Sequence, residues 1–340
     1  MRRDQMPHFQ AQALLDIPFE AMDRLIRDEA AEHGLELHTG HGRSIRLRLG
    51  AGEYGARRNG AGSIAFARAE SRDWLFTLQE ALAFHIADRL GGALDWAGFD
   101  LVGQLPPNFS LGRIESVRAI GAHFLRLRIR GEGLERLARD MIHFRIVLPC
   151  PDRSTQWPYL SQTGQAHWPQ DLHRPAYTVA AIDPAAGWLE TDIFTHDGGR
   201  VAAFAANAAT GREIGLIGPA GGGIPMAPHL LIGGDETAYP ALGRIIAVQS
   251  ADVRIACHLF GECAEYPFSC HPGLSLIHRP MGEGQLAAEL DRQGAGAALR
   301  GAGRVWIATE RGRLSALKAA VLRQLPRDRI HLAAYWTAAH

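Results

Sequence analysis

Four short stretches of this 340-residue chain carry residue types that could hold a ligand. In HLLIGGDETAYPALGRII, Gly234, Asp235, Glu236 and Thr237 stand between an apolar run and an amphipathic one. In an open α/β sheet that junction, a strand end followed by a capped helix, is where a ligand settles. In LETDIFTHDGGRVAAFA, Asp192 and His196 precede Gly199 and Arg200. Glycines entering a helix leave backbone N–H groups free to face a pyrophosphate, helped by the helix dipole. A glycine turn before an alanine-rich helix reads the same way, and His196 alone reads as structural. RPAYTVA presents Arg174, Tyr177, Thr178 and Val179 on one extended segment, and reads equally as a barrel strand with a buried tyrosine. IGLIGPAGGG, residues 214–223, suits close backbone approach or a plain turn. GxGxxG is absent, so the ordinary dinucleotide fingerprint is not used.

The composition sets outer limits. With 36 acids and 36 bases the chain has no general drive toward nucleic acid or an anionic membrane. Its basic charge is nearly all arginine, Lys318 being the only lysine. No apolar run reaches the length of a membrane span, and MRRDQMPHFQ lacks the apolar stretch of a signal peptide; a cytoplasmic protein with no membrane insertion is expected. Cys150, Cys257, Cys263 and Cys270 contain no CxxC pair, which argues against a disulfide framework, a zinc site or an iron–sulfur cluster.

Three segments position these residues. Residues 1–104 read as a small α+β accessory domain: a helix over FEAMDRLIRDEAAEHG ending at Gly34, strands LELHT, SIRLRLG and SIAFARAE, and a second helix, DWLFTLQEALAFHIADRLGG, whose His85 reads as packed or capping. GQLPPNFSLG reads as a linker. Residues 111–222 hold β-type runs (RIESVRAI, HFLRLRIRG, HFRIVLP, AYTVAAID, LETDIFTH, EIGLIGP) at the spacing of an antiparallel barrel. Residues 224–340 alternate strands and helices, including GQLAAELDRQ and GRLSALKAAVLRQL as helices, and imply an α/β parallel sheet.

A barrel followed by an α/β domain is the layout of the ferredoxin-reductase superfamily. Within it, residues 111–340 resemble siderophore-interacting proteins. The run Gly234-Asp235-Glu236-Thr237-Ala238 with Pro240 and Ala241 is nearly the family's own, and is its most specific piece here. Tyr177 and Thr178 match an Arg-x-Tyr-Thr flavin strand, with Pro175 where the family has arginine and Arg174 one residue early. Asp192, His196 and Gly199 match, while Ala202 and Phe204 replace a hydroxyl residue and a tryptophan. Glu310 and Lys318 match a Gly-Glu helix motif in which Thr309 replaces glycine, and Tyr335 and Trp336 match its closing strand. The N-terminal segment resembles the small uncharacterised domain often found upstream.

The resemblance implies an FAD-dependent ferric-siderophore reductase that releases Fe(II) in iron acquisition. FAD would lie against Arg174, Tyr177, Thr178, Val179, Asp192, His196, Gly199, Arg200, Ala202 and Phe204. Gly234, Asp235, Glu236, Thr237 and Glu310 would form the nicotinamide side, and Arg145, Arg279 and Lys318 would face an anionic ferric siderophore. Electrons would come from NADPH or another nicotinamide, or from a reduced ferredoxin; no dedicated acid–base residue and no resident metal are implied. Two other readings stay open: a flavin reductase with a quinone or another metal chelate as acceptor, and a non-enzymatic siderophore-binding or sensor protein with a degenerate flavin site.

Overall fold

The computed structural model describes residues 9–33, 35–96, 101–139, 141–207, 210–261, 265–279, 303–323 and 325–338. The N-terminal part runs β1 (Phe9–Leu15), α1 (Phe19–His33), β2 (Glu36–Gly40), β3 (Ser44–Leu49), β4 (Gly52–Asn59), β5 (Gly62–Ala69) and α2 (Arg72–Leu90). The middle part runs β6 (Phe109–Ile120), β7 (Phe124–Gly131), β8 (Met141–Val147), β9 (Tyr159–Leu160), β10 (Ala166–His167), β11 (Ala176–Thr178), β12 (Ala181–Asp183), β13 (Trp188–Phe194), α3 (Arg200–Ala206) and β14 (Glu213–Gly223). The last part runs β15 (His229–Gly234), α4 (Tyr239–Ala247), β16 (Arg254–Phe260), β17 (Leu274–Arg279), β18 (Arg304–Glu310), α5 (Leu314–Leu322) and β19 (Ile330–Trp336).

The chain divides into two compact units: residues 1–112, 131–176 and 213–221 in one, and residues 113–130, 177–212 and 222–340 in the other. A seven-stranded sheet in the order β11-β8-β14-β6-β7-β13-β12 contributes strands to both.

In the first unit, an antiparallel sheet in the order β1-β5-β4-β3-β2 packs α1 and α2 against one core. The helices start and stop where local chemistry dictates. Ser71 caps α2 by accepting from the Trp74 N–H, and Gly91 takes the left-handed conformation (φ 66°) that ends it. Met22, Ile26, Leu47, Leu78 and Leu82 are fully buried between the layers. Two of the five strands, β1 and β4, were not among the three expected. GEYGARRN lacks a repeating apolar face, yet Gly55 is forced by packing, since a Cβ there would sit 2.1 Å from the Ile45 carbonyl oxygen. His85 and Arg89 both reach the buried Glu29 carboxylate, at 3.2 and 2.5 Å.

The expected linker is pinned rather than free. Gly103 N–H donates to the Leu160 carbonyl and Leu160 N–H to that of Gln104, both at 2.9 Å. The glycine-rich run 214–223, which reads equally as a turn in the sequence, forms most of strand β14. Within this unit it is stapled by Arg136, which donates to the Gly218 and Leu216 carbonyls and to Ser110 Oγ. Burial lowers the pKa of that guanidinium to about 10.

In the second unit, β15 lies at the centre of an all-parallel sheet, order β17-β16-β15-β18-β19. Its apolar strands (Leu230, Ile232, Val305, Ile307) are buried on both faces, as a parallel sheet requires. The β7 and β13 strands pair antiparallel, with Arg126 opposite Asp192 and Arg128 opposite Glu190, while Leu127 and Thr191 face the other way. AYTVAAID, read as one strand, is two: Ala180 N–H turns to the Glu190 carbonyl between β11 and β12. The expected helix over GQLAAELDRQ lies outside the described residues.

Candidate functional site

The motif at the end of β15 is built around a buried carboxylate. Gly234 is required by crowding, because a Cβ would meet the Ala308 carbonyl oxygen at 2.3 Å. Asp235, 1% exposed, accepts four hydrogen bonds: from Thr237 N–H (3.1 Å), Thr237 Oγ1 (2.5 Å), Thr309 Oγ1 (2.9 Å) and Trp336 Nε1 (3.0 Å). One residue thus caps the turn Glu236–Ala238 and ties together the C-terminal ends of β15, β18 and β19. Thr309, where the resemblance expects glycine, is one of its donors. The Trp336 indole is held at its N–H and remains 39% exposed. Glu236 lies against Gly261, whose φ of 129° and missing Cβ make room for the carboxylate. Glu310 accepts from the Ala338 N–H at 3.3 Å. Lys318 is exposed on α5; the Arg279 side chain lies outside the described residues.

On the barrel strands of the same unit, Asp192 is 2% exposed and engaged on both oxygens. Arg126 grips it twice, at 2.6 and 2.7 Å, and Tyr266 donates its hydroxyl at 2.6 Å. The carboxylate raises the Arg126 pKa, while burial and that same charge raise the Tyr266 phenol. Asp192 therefore clasps the segment around Tyr266 onto β13, beside the aromatic cluster of Phe124, Tyr239 and Tyr266. Neither Arg126 nor Tyr266 stands out in the sequence. The only trace is the alternation RLRIR against ETD, whose charges face each other once β7 and β13 pair.

His196 follows β13 with its Nδ1 3.0 Å from the Asp197 carbonyl oxygen, and its ring fills the space beside Gly199. Gly199 precedes α3 without a side-chain cap; Ala202 is buried, and Phe204 carries the Arg212 guanidinium over its ring at 4.8 Å. Arg200 is exposed. Thr178 and Val179 are buried, and Tyr177 is half-buried. Burial alone raises the Tyr177 phenol, and its hydroxyl makes no hydrogen bond among the described residues. A half-buried aromatic face with an unengaged hydroxyl is what a flat, partly polar ring needs beneath it, so this strand fits a flavin.

Arg174 is placed differently. Ile146 N–H donates to the Pro175 carbonyl and Leu148 N–H to the His173 carbonyl, so residues 173–175 extend beside β8. Alternation along an extended chain puts position 175 on the Tyr177 face and position 174 on the opposite one. Proline takes the place on the tyrosine face, and the Arg174 guanidinium lies 4.2 Å over the Trp168 ring instead. Arg145 donates to the Arg174 carbonyl oxygen at 2.9 Å.

Residues 113–223 match the siderophore-interacting FAD-binding domain, and residues 227–339 match the siderophore-interacting protein domain. The chain belongs to the siderophore-interacting protein family. Over 136 residues it is 29% identical to the ferric vibriobactin reductase ViuB of Vibrio cholerae, a match covering 37% of this chain and 49% of that protein. It thus spans about half the length of the curated relative it matches. A siderophore utilization protein from T. fusca has the same fold: TM-score 0.57 at 22% identity, covering 71% of this chain and 97% of that one. A ferredoxin reductase of carbazole 1,9a-dioxygenase shares the fold at TM-score 0.50 and 16% identity, covering 66% and 68% of the two chains. The family's two domains thus have a ferredoxin-reductase-like fold, preceded here by the small N-terminal α+β part. Among the described residues, no helix is long and apolar enough to cross a membrane.

Proposed function

We propose that this chain reduces a ferric siderophore with electrons passed through FAD from a nicotinamide, releasing Fe(II). The observation that carries the reading is Tyr177, half-buried on β11 with an unengaged hydroxyl, inside the stretch that matches a siderophore-interacting FAD-binding domain. The likeness to a ferric vibriobactin reductase supports the choice of acceptor.

When bound, FAD supplies a centre that accepts two electrons and passes them on singly. The protein's part is binding and placement. Tyr177, Thr178 and Val179 would hold the ring, and the turn at His196, Gly199 and Arg200 leading into Ala202 and Phe204 would meet the remainder of the cofactor. Asp192 holds that strand in place through Arg126 and Tyr266 rather than through a free oxygen. Gly234, Asp235, Glu236, Thr237 and Glu310 shape the strand-end edge facing the nicotinamide, with Asp235 fixing Trp336 there. Arg145, Arg279 and Lys318 supply positive charge to an anionic ferric chelate. Iron leaves because the hard oxygen ligands that grip Fe(III) hold Fe(II) weakly. The three-part division at 1–104, 111–222 and 224–340 belongs to the same proposal, as does a cytoplasmic setting.

The test is to load the purified chain with FAD, remove the excess, and record its spectrum. NADPH and a ferric catecholate are then added without oxygen, with a colorimetric Fe(II) chelator as trap. Retained flavin absorbance and NADPH-dependent Fe(II) formation are expected. A chain that holds no flavin at protein-level concentrations overturns the reading and leaves siderophore binding without turnover. Flavin that NADPH reduces but ferric chelates do not reoxidise leaves a reductase with another acceptor.

A further inference from the structure

The shift of arginine from position 175 to 174 creates something on the other side of the strand. Position 145 on β8 has the same parity as 147, which lies opposite 174, so Arg145 and Arg174 share one face. Both belong to the first unit. Their side chains have no carboxylate in ion-pair contact among the described residues. Arg174 is braced flat on Trp168. Arg145 donates one guanidinium N–H to the Arg174 carbonyl oxygen at 2.9 Å, and burial, then the neighbouring charge of Arg174, lower its pKa. Two neighbouring arginines on one face, with no carboxylate in ion-pair contact among the described residues, form a receptor for an oxygen anion.

The N-terminal part reaches this place. Glu80, on α2, accepts the Ala166 N–H at 3.4 Å, and Arg174 is the charged side chain that bears on it. His167, the neighbour of Ala166, turns its ring onto Tyr159 at 4.9 Å. Burial is the largest influence on Glu80; the Ala166 N–H and the Arg174 charge only partly oppose it.

We propose that Arg145 and Arg174 form an anion site and that Glu80 of the N-terminal helix is its third member, setting the charge the anion meets. The ligand chemistry is a polyanionic oxygen group, carried either by the ferric chelate or by the diphosphate of the cofactor; this identification of sources rests on the function proposed above. Burial pushes the pKa of the Glu80 carboxyl up to about 7. Below that pH it is neutral and the two cations act unopposed. Above it, its negative charge offsets Arg174 and repels the incoming anion.

The intact chain is titrated calorimetrically at pH 6 and pH 8, at fixed ionic strength, with tris(oxalato)chromate(III). This chelate is inert to substitution, and its trianionic charge does not change over the range. FAD serves as the second ligand. Wild type is expected to bind the chelate about fivefold more weakly at pH 8 than at pH 6. Glu80→Gln should hold the pH 6 affinity at both pH values, and Arg174→Gln and Arg145→Gln should each weaken binding about tenfold. If FAD affinity follows this pattern and the chelate does not, the anion is the cofactor's diphosphate, and the site stands. If neither ligand responds to any of the three substitutions in variants whose circular dichroism matches wild type, the proposal fails. No electron transfer is measured, so that failure leaves the reductase reading intact, just as a colourless protein would leave this site intact.

Discussion

Glu80 shows how one side chain converts a packing decision into pH dependence. Its folded pKa is raised from 4.5 to about 7 by burial. For a carboxyl shifted upward, the unfolded chain ionises first, so stability is greatest below about pH 4.5 and declines as pH rises toward 7. The decline attributable to this group is about 3 kcal/mol. Glu80→Gln keeps an oxygen for the Ala166 N–H and removes the titration. Its thermal midpoint should exceed that of wild type at pH 8 and match it near pH 4.5, as scanning calorimetry at the two pH values would record. An equal shift at both would mean that the carboxyl does not titrate in this window.

At the scale of elements, the two carboxylate clasps decide what holds the strands that carry the site. Asp192 joins β7, β13 and the segment around Tyr266; Asp235 joins β15, β18 and β19. Removing one member of a buried, hydrogen-bonded ion pair costs more than the pair itself contributes, because a charge is left without its partner. Asp192→Asn should therefore destabilise the chain by about 3 kcal/mol, and Tyr266→Phe by about 1.5 kcal/mol, measured by urea unfolding. A change below about 0.5 kcal/mol in either would mean that solvent replaces the clasp. These arrangements also mark how far the sequence could be read. Helix α2 was legible because its pattern stops at the glycine pair Gly91–Gly92, a local signal, whereas its Ser71 cap emerged only with the structure. The strand-end motif was legible because Gly234 to Ala241 is contiguous. Strand β4 was not, since its glycines and arginines serve neighbours that only pairing reveals. The run 214–223 left a choice, because its glycines fit a turn as well as the strand packed against His143. The Asp192 clasp spans 74 residues between Asp192 and Tyr266, a distance no periodicity reports.

At the scale of the molecule, the N-terminal part is joined to the segments of its own unit by more than the chain. Trp96 N–H donates to the Thr163 carbonyl, Gln165 Nε2 to that of Leu94, and Gly103 and Gln104 pair with Leu160. Trimming the chain before residue 105 would strand these partners and uncover the loop that carries Trp168. The shortened protein should unfold at lower urea concentration or fail to accumulate in soluble form; unchanged unfolding would show that the two parts are independent. The junction also has a consequence in proton balance. An anion held beside Arg174 draws a proton onto Glu80, because the added negative charge raises the pKa of a carboxyl already near neutrality. Binding close to pH 7 should then be accompanied by fractional proton uptake. The apparent heat of binding would shift between HEPES and imidazole buffers in proportion to their ionisation enthalpies. Ligand capture would in this way be coupled to the acidity of the surroundings, through a helix outside the two stretches that match the family's domains.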